Sequence, residues 1–122
     1  MVSLLPIVES EAGDACTPVM VDPLPVADAV ALAGRLKALA EPTRLRLLSV
    51  IAAHEGREAC VCDLTEPVNL SQPTVSHHLK ILVDAGFLTR HKRGAWAFYA
   101  LVPGAVDDLT DMLRTAVDTR AV

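Results

Sequence analysis

The 122 residues have room for one compact domain rather than two, and 52% apolar content with only 3% aromatics calls for a core of Leu, Val, Ile and Ala, which suits packed helices better than sandwiched strands. The formal charge of −4 is uneven: residues 71–99 hold Lys80, Arg90, Lys92 and Arg93 against Asp84 alone, while the remainder has seven cations against fourteen acids. That local excess suits nucleic acid or an ordinary solvated patch equally well, whereas the lack of eighteen consecutive apolar residues and of a basic leader argues against a membrane span or secretion and for a cytoplasmic chain.

In chain order, residues 1–25 read as a mobile arm, since Pro6, Pro18, Pro23 and Pro25 deny it a long helix. Val26 to Ala40 places Val26, Ala29, Val30, Ala33, Leu36 and Leu39 at helical spacing. A second helix starts at Pro42 and runs to His54, with Gly56 as its stop. A short helix is expected from Cys60 to Glu66, ended by Pro67. Ser71 then caps a helix that buries Val75, Leu79 and Leu82 and ends near Gly86. Phe87–Arg90, a loop at His91–Gly94 and a strand at Ala95–Leu101 form a β-hairpin. Pro103 opens a last helix with Val106, Leu109, Met112, Leu113 and Val117 on its apolar side. The expected order is α-α-α-α-β-β-α, mainly helical, with a domain at 26–118 and a tail at 119–122.

Two short helices joined by a tight turn, the second polar on one face, make a helix-turn-helix. Gln72, Thr74, Ser76, His77 and Lys80 remain outward on that second helix. Gln, Ser and Thr can read base edges, while Lys80 suits phosphate. The basic hairpin His91-Lys92-Arg93, with Arg90 before it, reads as a DNA-contacting wing or as a polar tip, and composition leaves the two even. Three cysteines without a secretion signal favour metal binding or redox chemistry over a structural disulfide. No cysteine has a paired His beside it, so no enzyme constellation is present.

The run NLSQPTVSHHLKILVDAGFLTRHKRGAWAFYAL closely resembles the ArsR/SmtB family of metal-sensing repressors, and ALAEPTRLRLLSVI resembles that family's second helix. The likeness covers about residues 26 to 118. It implies a dimeric winged helix-turn-helix that binds double-stranded operator DNA, with the first and last helices forming the homodimer interface and Leu109 and Leu113 holding it together. It assigns DNA contacts to Gln72, Thr74, Ser76, His77, Lys80, Arg90, Lys92 and Arg93, and suggests that His78 packs beneath the recognition helix.

The segment Glu58-Ala59-Cys60-Val61-Cys62-Asp63-Leu64 resembles the box that supplies thiolates in the family's arsenic and cadmium/lead sensors. Ala59 replaces the usual Leu, and Thr65 stands where some arsenic sensors have a third Cys. Residues two apart on a regular helix point about 200° apart, so Cys60 and Cys62 can share an ion only at a helix end or in an unwound turn. Cys16 in the arm resembles the arm cysteines of the cadmium/lead sensors and would complete a three-thiolate site. Such a site implies As(III) or Sb(III) as inducer, with no organic cofactor. Cd(II) or Pb(II) is the alternative, although Asp14, His54 or water would only approximate the fourth ligand. A thiol-redox repressor is the other alternative. The last helix has no His, which argues against the family's interhelical zinc site.

Overall fold

The computed structural model describes residues 16–118. The first fifteen residues of the expected arm, Asp14 among them, and the tail at 119–122 lie outside the described residues. Five helices and three strands run in the order α1 (Val26–Leu39), α2 (Pro42–Ala53), β1 (Glu58–Cys60), α3 (Thr65–Val68), α4 (Gln72–Asp84), β2 (Leu88–Arg93), β3 (Trp96–Leu101) and α5 (Ala105–Val117). The core gathers Leu47, Ile51, Leu64, Val75, Leu79, Leu82, Phe87 and Leu88, all essentially without solvent contact.

Helix α2 begins at Pro42, whose missing N–H costs nothing in a first turn. Before it, the Glu41 carboxylate accepts the Arg44 backbone N–H at 3.1 Å and caps the helix. Arg44 then ties three elements together: its Nε donates to the Ala38 carbonyl at 2.6 Å, and its Nη1 lies 3.0 Å from His78 Nδ1 on α4. His78 is half-buried by this arrangement. Helix α4 is thereby held by a polar tie as well as by Val75, Leu79 and Leu82 on its inner side. Ser71 stands at the N-cap, yet its hydroxyl donates to Thr74 Oγ1 at 3.0 Å and makes no cap to the backbone.

Three local expectations are corrected. The helix expected at Cys60–Glu66 is a strand end, a 3-10 turn at Val61–Asp63 and the short α3. Residues 58–60 satisfy their backbone groups by pairing with the free edge of β3, in the antiparallel register Glu58↔Ala100, Ala59↔Tyr99 and Cys60↔Phe98. Pro67 does not end α3 but lies within it, tolerated in a first turn. The helix ends instead at Asn69 in the left-handed conformation, at φ 57°. The hairpin loop is also shorter than expected: His91, Lys92 and Arg93 belong to β2, and Arg93 pairs with Trp96 across the two-residue turn Gly94-Ala95. Gly94 supplies the positive φ, 62°, that such a turn requires at its first central position. The sheet order is β1-β3-β2.

The third correction concerns α5, which has two apolar stripes rather than one. Ala105 and Leu109 face inward and are buried, with Met112 and Ala116 half-buried beside them. Leu109 is only 4% exposed within its own protomer, where it packs into the core. Leu113 is 41% exposed and shares an outward stripe with Val106 and Val117. Helix α1 likewise leaves Val26 and Val30 exposed.

Burial raises the Glu41 pKa, but the backbone N–H groups of Arg44 and Thr43, with the charges of His78 and Arg44, outweigh it and lower the pKa below 4.5. A depressed carboxyl pKa stabilises the fold above the unfolded value and loses that contribution as pH falls through the folded one. Glu41→Ala should therefore melt below wild type at neutral pH, with the gap shrinking as pH drops below about 4, a convergence checked by thermal melts across a pH series.

Candidate DNA interface and thiol pair

Burial of Val75, Leu79 and Leu82 turns the other side of α4 outward, leaving Gln72, Thr74, His77 and Lys80 exposed and Ser76 half-buried. A cleft of about 500 Å³ separates this helix from the wing formed by β2 and β3. Gln72, Ser76 and Lys80 line it from the helix, and Arg90, Lys92 and Trp96 from the wing. Lys80 is also paired with Asp84 at 2.8 Å, an exposed i,i+4 contact that a phosphate could replace at little cost. Arg90 Nε donates to the Tyr99 hydroxyl at 3.3 Å, which steadies its side chain beside the cleft. Thr74 and His77 are not among the lining residues. Trp96, 51% exposed, was missed by the sequence reading. Its place two residues after the hairpin glycine was the available signal.

Strand alternation divides the wing's cations, which looked like one group in the sequence. Leu88, Arg90 and Lys92 project to one face of β2, and Thr89, His91 and Arg93 to the other. On that second face Arg93 Nη2 donates to Glu58 Oε2 at 2.6 Å, and its guanidinium lies 4.4 Å from the centroid of the Phe98 ring. His91 stacks on the same ring at 6.0 Å, with Nε2 3.6 Å from Glu58 Oε1. Glu58 therefore holds the wing from β1. No charge-pattern argument pointed to it, because the contact depends on a strand that the periodicity did not reveal.

The same strand sets the geometry of the thiols. Cys60 ends β1 and caps the 3-10 turn, its Sγ accepting the Cys62 backbone N–H at 3.1 Å. The chain is extended at Cys60 and turned at Cys62, so the two side chains meet, which a regular helix would prevent. The Cα atoms are 5.1 Å apart and the sulfurs are joined as a disulfide. Cys60 is 3% exposed, whereas Cys62 faces solvent. Cys16 is an exposed free thiol. Among the described residues no three His, Cys, Asp or Glu side chains converge as a metal site. Two of the three expected thiols are thus brought together within the protomer, and Cys16 is not. His54 Nδ1 lies 2.8 Å from the Val50 carbonyl at the end of α2.

The family model for bacterial regulatory proteins of the arsR family matches residues 41–90. The chain is 43% identical over 82 residues to the arsenic resistance transcriptional regulator ArsR1 of Pseudomonas putida, a match spanning 67% of this chain and 62% of that protein. It is 39% identical over 75 residues to the arsenical resistance operon repressor of Bacillus subtilis, spanning 62% of this chain and 70% of the relative. Its fold is similar to a homodimeric winged helix-turn-helix DNA-binding domain from Mycobacterium bovis, with a TM-score of 0.59 at 22% identity, covering 84% of this chain and 94% of that one.

The unequal exposure of the thiols has a direct chemical readout. In fully reduced protein, iodoacetamide should modify Cys16 and Cys62 well before Cys60, because a buried thiol reacts only when its surroundings open. Mass-spectrometric mapping over time should give that order; equal rates at 60 and 62 would contradict the burial.

Proposed function

Because the chain belongs to the arsR family of bacterial regulatory proteins, we propose that it is a cytoplasmic transcriptional repressor that grips operator DNA as a homodimer and releases it when its thiols capture As(III) or Sb(III). The observation that carries this reading is the meeting of Cys60 and Cys62 directly before the helix-turn-helix. In the reduced state the pair presents two soft sulfurs to a thiophilic ion. As each bond to arsenite forms, one hydroxide leaves with the thiol proton as water, so no oxidant is needed. Cys16, from its own chain or a second copy, would supply the third sulfur.

The DNA-facing side follows from the cleft. Gln72, Thr74, Ser76 and His77 would meet base edges at the α4 surface, and Lys80, Arg90, Lys92 and Arg93 would meet phosphates. Two copies related by a two-fold axis would place two such helices about one DNA turn apart. The outward stripe Val106, Leu113 and Val117, together with the exposed apolar residues of α1, suits burial in that dimer. The arsenical-resistance names of relatives at about 40% identity support a metalloid as the inducer.

A second reading is favoured by one observation, the Cys60–Cys62 bond itself. Oxidation of the pair by a peroxide, two thiols giving a disulfide while the peroxide is reduced, would close the same loop without any metalloid. The deciding experiment titrates operator complexes of reduced protein with As(III), Sb(III), Cd(II), Pb(II) and hydrogen peroxide in parallel.

As(III) should lower operator affinity by up to about 150-fold, the upper range of allosteric coupling. Cys60→Ser and Cys62→Ser should each bind operator normally and resist release. Normal release of both variants by arsenite under reducing conditions would end the metalloid reading, and release by peroxide alone would select the redox one. On the DNA side, Lys92→Ala should weaken operator and random DNA alike and flatten the salt dependence by about one unit. Gln72→Ala should instead erode discrimination between the two DNAs, measured by fluorescence anisotropy at several salt concentrations.

A further inference from the structure

We propose that Glu58 is a positioning residue that links the thiol pair to the wing by acting as an internal substitute for a DNA phosphate. The proposal rests on the repressor reading and adds how the signal leaves the cysteines. Glu58 and Cys60 are the two ends of the three-residue strand β1 and project to the same face of the sheet. Cys60 stands opposite Phe98 in register, and Phe98 stands opposite His91 on the far strand. The Phe98 ring carries the Arg93 guanidinium on it, and the Glu58 carboxylate clasps Arg93 and approaches His91. Thiol, aromatic ring, cation and carboxylate therefore form one contiguous surface across all three strands.

The chemistry of Arg93 gives this surface its meaning. A guanidinium pairs with carboxylate and phosphate by the same planar donor geometry, so Glu58 and a DNA phosphate compete for it. In the structure, which has the two sulfurs joined, Arg93 belongs to Glu58. Closing the loop at Cys60–Cys62, whether through a bound metalloid or by direct bonding, fixes the end of β1 and with it the carboxylate. Arg93 is then withheld from DNA. With the thiols free, the short strand loosens, the clasp weakens and Arg93 is released to phosphate. The pair is partly exposed, so the expected share of the whole response is modest.

The test compares wild type with Glu58→Gln, Glu58→Asp and Arg93→Gln, using arsenite alone as the probe and following its capture by absorbance of the arsenic–sulfur bonds. In Glu58→Gln the arsenite-loaded protein should bind operator about two- to fivefold more tightly than loaded wild type, the range expected for a partly exposed ion pair. Its salt dependence should steepen by up to about one unit as Arg93 reaches phosphate. Glu58→Asp should restore the wild-type ratio in part. Arg93→Gln should weaken operator binding by the arsenite-free protein and change that of the loaded protein little, a loss of opposite sign confined to one state, which a general loss of stability would not produce. Without DNA, the Arg93 Nε–H NMR resonance should shift on arsenite capture in wild type and stay still in Glu58→Gln. An unchanged release ratio in Glu58→Gln, or an Arg93 resonance indifferent to arsenite in wild type, overturns the link while leaving the repressor reading in place. An arsenite-dependent, Glu58-dependent shift in a protein that never binds or releases operator would sustain the link and remove the repressor reading.

Discussion

The pairing of residues 58–60 with the free edge of β3 is the constraint on which the functional surface depends. Three residues of strand fix the Cys60 side chain, aim the Cys62 N–H at its sulfur and bring a carboxylate to the wing. Without that pairing the segment before α3 would follow its helical tendency, and the two sulfurs would diverge around a helix. Strand periodicity is two, so a slip of one residue would turn Glu58 away from the wing and put the Cys60 thiol on the face where Ala59 packs against the core. Ala59 is 2% exposed against that core, and its small side chain leaves no room for a thiol and its ligand. The register is thus held from both faces.

A second set of contacts sets the recognition helix. Arg44 reaches from α2 to the end of α1 and to His78, while Val75, Leu79 and Leu82 pack inward. Apolar packing alone fixes distance well and rotation about the helix axis less well. The directional bond to His78 adds the missing restraint, because it is satisfied at only one rotation of α4. The polar surface of the helix and the wing cations can then share one cleft.

Much of this was legible in the residues. The long helices announced themselves by spacing, and Pro42 and Gly94 marked a start and a turn for reasons local to the chain. The inward set Val75, Leu79 and Leu82 followed from a period of 3.6. What the sequence hid was non-local. β1 is too short to show alternation, and it exists only because β3 has an edge to offer. The division of Arg90 and Lys92 from Arg93 needed the true turn position, two residues later than a basic loop suggested. Leu109 and Leu113 looked equivalent on one apolar side, but α5 carries two stripes, and only packing against the rest of the chain tells them apart. The thiol motif was visible, whereas its geometry depended on the strand.

Trp96 is the chain's sole tryptophan, and it stands half exposed immediately after the hairpin turn. Nearly all the intrinsic ultraviolet emission of this protein therefore originates at the wing. A solution of it carries a native optical probe at the element that borders the cleft, with no label to attach and no competing indole elsewhere. Rapid-mixing fluorimetry on unmodified protein thus observes the wing in real time, and the helices of the body remain dark.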